Sequence, residues 1–372
     1  MIIVFVTYGK FEVNATLKRA TGMAHPLIRE GYRVILLLQD DPVNRLRVAH
    51  ECPDAETIWH QHFKSAFEER KAKQVAVNRL KPDIIWICGP GMRNWVTRPT
   101  QGCILLSDYS ERYANLGEGS FIRRIWEYVF EWIYPVAFDG HVCASRYLQS
   151  FFRRKLKFYG KSIPPLYLPY AYTSNSGRAV EPAHLEFPVL EKGKKVFLYL
   201  GSFWENYGFW DMLEAFRQLR DIRDDFVFLM LGKGPELEPG REWIEHHGLS
   251  ESISIVGFVP DAKLDSYLRA ADAFLCPLRE TLQDLARCPS KLFLYIPFRK
   301  PIITCRIGEA AELLGSGAAY YQPRNIPDMV ERLVEVCEGR STVESTANPD
   351  LHSWDQRAKI FTNWLKAYFF ND

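Results

Sequence analysis

The sequence predicts an α/β chain built from two doubly wound parallel sheets. Three observations carry this. Short, fully apolar runs recur along the chain, helical patterns separate them, and the alternation stops once, in a polar stretch near the middle, before restarting. A strand covered on both faces reads as a continuous apolar run, and strands that alternate with helices build βαβ units.

In order, Ile2 to Val6 is the first such run, followed by the turn Thr7-Tyr8-Gly9 and a helical pattern from about Asn14 to Glu30. Gly31 closes that helix, and Arg33 to Leu38 supplies the next strand. Gly9 and Lys10 thereby fall at the carboxyl end of a strand, where open α/β sheets place ligands. Strands are expected at Ile84 to Cys88, Cys103 to Ser107 and His141 to Ala144, with helices at about Phe63 to Leu80 and Phe121 to Val136.

From about Tyr172 to Lys195 the chain reads TSNSGRAVEPAHLEFPVLEKGKK, a composition suited to a linker. Beyond it come strands Val196 to Gly201, Phe226 to Gly232, Ser252 to Val256, Ala273 to Cys276 and Ala318 to Tyr321, with helices at about Phe209 to Leu219, Leu237 to His247, Ala262 to Ala270, Glu309 to Leu314 and Ile326 to Glu338. The expected division is 1–172, a linker 173–195, a second domain 196–352, and a final amphipathic helix in 353–372 that returns to the first domain.

Composition narrows the function classes. With 47 Lys and Arg against 45 Asp and Glu in 372 residues, the net charge of +2 implies no nucleic-acid partner. Eight scattered cysteines without a CxxC fit buried thiols in a reducing compartment. The amino terminus MIIVFVTYGK lacks a basic leader, and no apolar run reaches the ~18 residues of a spanning helix. The expected location is cytoplasmic. His60-Gln61-His62 with Cys52 upstream lacks a second cluster, so no metal is expected.

The stretch CPLRETLQDLARCPSKLFLYIPFRKPIIT, Cys276 to Thr304, reads as strand, loop, helix, strand. Ser290 is placed to cap a helix from Lys291 to Phe298, whose first N–H groups and dipole would suit phosphate. An ordinary capped helix with an exposed lysine fits the same residues.

Four segments in order then carry a resemblance: YLGSFWENYGFWDMLEAF (Tyr199 to Phe216), FLMLGKGPE (Phe228 to Glu236), ISIVGFVPDAKLDSYLRAADAFLCP (Ile253 to Pro277) and PSKLFLYIPFRKPIIT (Pro289 to Thr304). Together they resemble the donor-binding half of retaining glycosyltransferases of the GT-B fold, the family-4 group also called glycosyl transferases group 1. The resemblance implies two Rossmann-like domains facing a cleft and transfer of a sugar from a nucleoside diphosphate donor to a glycan, lipid-linked or small-molecule acceptor. It places Gly201, Ser202, Lys233, Ser290, Lys291 and Leu292 on the donor side with the phosphates, Phe258 and Val259 at the base through main-chain bonds, Glu280 near the transferred sugar, and Glu312 at the family's acidic donor-side position after the last cleft loop. The first domain would bind the acceptor, with Gly9, Lys10 and Asp108 on that side, and Glu280, Lys291 and Asp108 would be the catalytic groups. Asp108 fits equally an acid that ends a strand in a turn.

The sequence also departs from the pattern. Ser202 and Tyr207 stand where family members often carry Arg and Lys, and Leu294 stands where a glutamate usually meets the ribose. A non-catalytic nucleotide-sugar binding module and a sugar-nucleotide epimerase on the same fold remain alternatives. No cofactor is expected, because lysine and backbone donors would stabilise the leaving diphosphate. Finally, Phe121 to Lys161 holds Arg123, Arg124, Arg146, Arg153, Arg154, Lys155, Lys157 and Lys161 interleaved with aromatics. That composition suits an anionic membrane surface on the inner face, and it suits amphipathic core helices equally.

Overall fold

The computed structural model describes residues 1–11, 16–112, 121–172, 193–341 and 348–370, with side chains at all of these but 16, 121–124, 261 and 262. The chain divides into two compact units. One comprises Met1–Ser174, Ala286–Ser290 and Asp350–Asp372; the other comprises Asn175–Leu285 and Lys291–Pro349. Most of the expected linker, 173–192, lies outside the described residues, and its last residue, Lys195, already opens a strand.

The first unit runs β1 (Ile2–Val6), α1 (Thr16–Arg29), β2 (Arg33–Gln39), α2 (Pro42–Glu51), β3 (Glu56–His60), α3 (Ala66–Leu80), β4 (Ile84–Cys88), β5 (Ile104–Tyr109), α4 (Phe121–Ile133), β6 (Gly140–Cys143), α5 (Arg146–Phe158) and β7 (Leu166–Tyr167). Its seven strands are parallel in the order β3-β2-β1-β4-β5-β6-β7. The apolar runs sit where expected: every residue of β4 is buried, and β1 is buried from Ile3 onward. Three further elements carried weaker apolar signals. β3 is an edge strand with half-buried residues, so it shows no continuous run. The helix α2 is announced by its ends: Asp41 accepts from Val43 N at 3.0 Å and Pro42 occupies the first turn. Ser145 caps α5 in the same way, accepting from Leu148 N at 3.2 Å.

The second unit runs β8 (Lys195–Leu200), α6 (Phe209–Arg220), β9 (Phe226–Leu231), α7 (Leu237–His246), β10 (Ile253–Gly257), α8 (Asp261–Ala270), β11 (Ala273–Cys276), α9 (Leu282–Ala286, whose last residue is counted with the first unit), α10 (Leu292–Tyr295), β12 (Ile302–Thr304), α11 (Gly308–Leu314), β13 (Ala319–Tyr320) and α12 (Ile326–Cys337). Its sheet is parallel in the order β10-β9-β8-β11-β12-β13. Strand order reverses outward from β8 and β11, which is where doubly wound sheets open a crevice at their carboxyl ends.

The last helix, α13 (Trp354–Phe369), belongs to the first unit and packs on α1. Gly22 makes room for it: a Cβ there would stand 2.2 Å from the Trp354 indole. Phe361 lies 4.4 Å from Trp86, centroid to centroid, and buried Arg357 donates to the carbonyls of Pro169 and Tyr170.

Candidate functional site

The carboxyl end of β8 is built from glycines because the backbones there nearly touch. A Cβ on Gly232 would stand 1.7 Å from the Gly201 carbonyl oxygen, and Gly232 holds a φ of +148° that side chains resist. The turn after β8 and the turn after β9 are laced together, Gly201 N donating to Leu231 O at 2.9 Å and Phe203 N to Lys233 O at 2.9 Å.

Lys291 reaches this same spot. Its ammonium lies 3.9 Å from the centroid of Tyr199, and a Cβ on Gly201 would meet its Nζ at 2.7 Å. Tyr295, fully buried, holds the segment against the sheet by accepting from Leu200 N at 2.9 Å, and its hydroxyl lies 3.4 Å from Leu275 O. The sequence thus brings Gly201 and Lys291 together from 90 residues apart, and neither Tyr199 nor Tyr295 was singled out by it.

Next along the sheet, Lys233 lies 5.4 Å from the Phe258 ring centroid. Phe258 is 55% exposed just past β10, Val259 is half-buried, and Gly257 O accepts from Gly232 N at 2.8 Å. An exposed aromatic face beside a cation is a platform for a planar base.

Glu280 occupies the turn after β11, and that turn is fixed around it. Buried Asp284 accepts from Arg279 N at 2.6 Å, and the Arg279 guanidinium donates to Asp211 at 3.2 Å. Glu280 itself is exposed and lines a cavity of about 180 Å³ with Arg306, Ile307, Tyr320, Tyr321, Gln322 and Pro323. No motif in the sequence marks Arg306; its position right after a strand of the sheet is the signal that points to it. Glu312 is exposed on α11 and does not line that cavity. A larger hollow of about 470 Å³ lies on α3, lined by Gln61, Phe63, Glu68, Lys71, Ala72 and Val75, and holds none of the candidate residues.

Several expectations are corrected. The helix expected from Lys291 to Phe298 is the four-residue α10 followed by a 3₁₀ turn at Ile296–Phe298. Its cap position is Lys291, with no side-chain cap, so Ser290 does not cap it; Ser290 lies in the first unit, where its Oγ accepts from Lys18 Nζ at 3.2 Å. One helical turn has little dipole to offer, so the charge at this site is the Lys291 ammonium. The Leu292 side chain is wholly buried and cannot touch a donor. Ser202 is exposed in the turn after β8.

In the first unit, Asp108 is buried at 1% exposure, with the Arg19 guanidinium 2.5 Å away and the Trp86 indole donating at 3.4 Å. A carboxylate so enclosed serves the core and not an acceptor. Lys10 pairs with Asp41 at 2.7 Å, and Gly9 O accepts from Asn44 at 3.1 Å, so both are tied to the start of α2. Among the described residues no group of three or more His, Cys, Asp or Glu is arranged to hold a metal.

The basic and aromatic segment divides by residue. Phe152 and Lys155 are buried, and Lys155 pairs with Glu131 at 3.5 Å, as does Arg112 at 3.0 Å. The two helices nevertheless leave Ile125, Trp126, Tyr128, Ile133 and Phe158 exposed beside exposed Arg153, Arg154 and Lys157. The side chains of Arg123 and Arg124 lie outside the described residues. No helix among the described residues is long and apolar enough to cross a membrane.

Residues 181–359 match the family model described as glycosyl transferases group 1. That segment belongs to the glycosyl transferases group 1. Among curated relatives, the 2-deoxystreptamine N-acetyl-D-glucosaminyltransferase of Niallia circulans is 24% identical over 181 residues, which are 47% of this chain and 45% of that one. The chain thus spans about half the length of this relative. Among solved structures, sucrose-phosphate synthase from Thermosynechococcus elongatus superposes with a TM-score of 0.75 at 13% identity over 100% of both chains. Anabaena HepE in complex with UDP-glucose gives a TM-score of 0.75 at 11% identity, over 99% of this chain and 100% of that one. At such identities the likeness is one of fold, and the fold is GT-B. Within the group 1 segment, Leu294 is half-buried and offers no acceptor for ribose hydroxyls.

Proposed function

We propose that this chain transfers a sugar, with retention at the anomeric carbon, from a nucleoside diphosphate sugar to a glycan, lipid-linked or small-molecule acceptor. The observation that carries the reading is the convergence of the Lys291 ammonium on the glycine turn at Gly201, with Glu280 exposed on the adjoining strand end. Departure of a diphosphate builds negative charge on its oxygens, and a fixed ammonium in a close-packed turn lowers that barrier without reorganising. Phe258 with Lys233 would take the base, and Glu280 would accept from a sugar hydroxyl. Lys291 carries the charge that Ser202 and Tyr207 do not supply, so the reading needs no metal ion.

The acceptor side is assigned to the first unit, at the inner face of a membrane. What supports this is that α4 and α5 leave Trp126, Tyr128 and Phe158 exposed and that α5 also exposes Arg153, Arg154 and Lys157. Such a surface suits anionic headgroups or a lipid-linked acceptor.

Thermal unfolding with UDP, GDP and ADP tests the donor reading. A ligand at a hundred times its Kd stabilises by about 2.7 kcal/mol. At least one of the three should raise Tm, and no shift with any of them would overturn the proposal. Slow donor hydrolysis without acceptor then separates a transferase from a binding module, which should show none.

A further inference from the structure

The cavity beside Glu280 holds a cation that the transfer reading has not used. The Arg306 guanidinium stands 5.5 Å from the centroid of Tyr320, whose hydroxyl is fixed by donating to Gly315 O at 2.9 Å. Exposed in the cavity wall, a guanidinium near such a ring still has an N–H fork that matches a planar carboxylate with two parallel bonds. Neighbouring charges are engaged: Arg279 with Asp211, Asp284 with the Arg279 N–H, and Asp328 with the Gln322 N–H at 2.6 Å. Among the described residues Arg306 and Glu280 have no ion-pair partner.

Strand order assigns the two cations to different parts of a donor. Lys291 stands at the end of β8, Glu280 follows β11 and Arg306 follows β12, and these three strands are neighbours in that order. At ~4.8 Å per strand, Arg306 starts about 10 Å along the sheet edge from Gly201. A diphosphate held by Lys291 therefore brings the sugar, not the phosphates, to the Glu280 cavity. The cavity of about 180 Å³ has the volume of about six waters, room for one sugar ring with its hydroxyls.

We propose that the donor sugar carries a carboxylate, as a hexuronate does, and that Arg306 reads it while Glu280 accepts from a ring hydroxyl. This rests on the transfer reading above and names the class of its donor. A neutral hexose would offer the Arg306 fork hydroxyls alone, where a carboxylate accepts two parallel charge-assisted bonds.

The test is isothermal titration with UDP, UDP-glucose and UDP-glucuronate, or with the GDP or ADP series if that base is the one that stabilises the chain, for the wild type, Arg306→Gln and Arg306→Lys. The expected result is a preference for the hexuronate conjugate of about fivefold or more, lost in Arg306→Gln, partly kept in Arg306→Lys, with affinity for the diphosphate alone unchanged. Equal binding of the two conjugates by the wild type overturns the inference and leaves the transfer reading standing. So does an Arg306→Gln variant that weakens the diphosphate alone as much as the conjugates, since Arg306 would then serve the phosphates. Binding of no diphosphate or conjugate overturns both.

Discussion

Lys291 and Gly201 are 90 positions apart in sequence, yet the lysine's Nζ occupies the space a side chain on Gly201 would need, 2.7 Å from where that Cβ would stand. The two positions constrain each other: the glycine is open so that the ammonium can stand at the strand end.

Removing that ammonium should therefore damage the chemical step more than the fold. Lys291→Gln is expected to lower kcat with a nucleoside diphosphate sugar by about 100- to 1000-fold, the cost of deleting one preorganised charge donor at a leaving group. Affinity for the nucleoside diphosphate should fall about tenfold, and the urea midpoint should move little. Steady-state kinetics with matched denaturation curves check this; an unchanged kcat would refute the role.

Asp108 should behave in the opposite way. Asp108→Ala leaves the Arg19 guanidinium buried without its carboxylate, and breaking such a pair costs about 3–5 kcal/mol. The urea midpoint should drop sharply, with turnover per folded molecule retained at temperatures where the variant remains folded.

The first unit should be acid-sensitive in a defined window. Burial pushes His141 down to about 3, and burial together with neighbouring Arg357 pushes His352 down to about 4, both from an ordinary value near 6.5. The folded state keeps both imidazoles neutral, so below about pH 6.5 the unfolded chain takes up protons first. Stability from these two groups is complete above that pH and is lost as pH falls toward 4. Tm measured from pH 7.5 to 4.5 should fall with acidification, and His141→Gln should flatten part of the slope; a Tm independent of pH over that range would contradict the assignment.

Surface docking through α4 and α5 can be measured with vesicles containing phosphatidylglycerol. Trp126→Ser with Phe158→Ser should cut co-sedimentation several-fold, and raising salt should weaken binding of the wild type because the Arg153, Arg154 and Lys157 charges are exposed. Absence of binding even at low ionic strength would remove the membrane from the proposal.

What the sequence discloses follows from burial on both sides. Central strands such as Ile84–Cys88 and Phe226–Leu231 are enclosed entirely, so composition alone marks them, whereas the half-buried edge strand Glu56–His60 has no such mark. Gly201 and Lys291, both singled out through the family resemblance, lie against each other in space. Local pattern misjudged Ser290 and Asp108 for different reasons. Ser290 satisfies every rule for a cap, but its hydroxyl bonds instead with Lys18, far off in sequence. Asp108 ends a strand as a functional acid would, but Arg19, 89 positions earlier, encloses it. Tyr199, Tyr295 and Arg306 gain meaning only from what lies against them in space.

The docking of Trp354–Phe369 onto Thr16–Arg29 sets an order of events during synthesis. The sheet of the first unit cannot complete its interior when its own strands have been made; Trp86 lacks its Phe361 neighbour until Trp354–Phe369 has been translated as well. A premature stop codon only a few positions before Trp354 would thus leave that sheet incomplete and sticky, although the lesion falls far along the message from the strands it exposes.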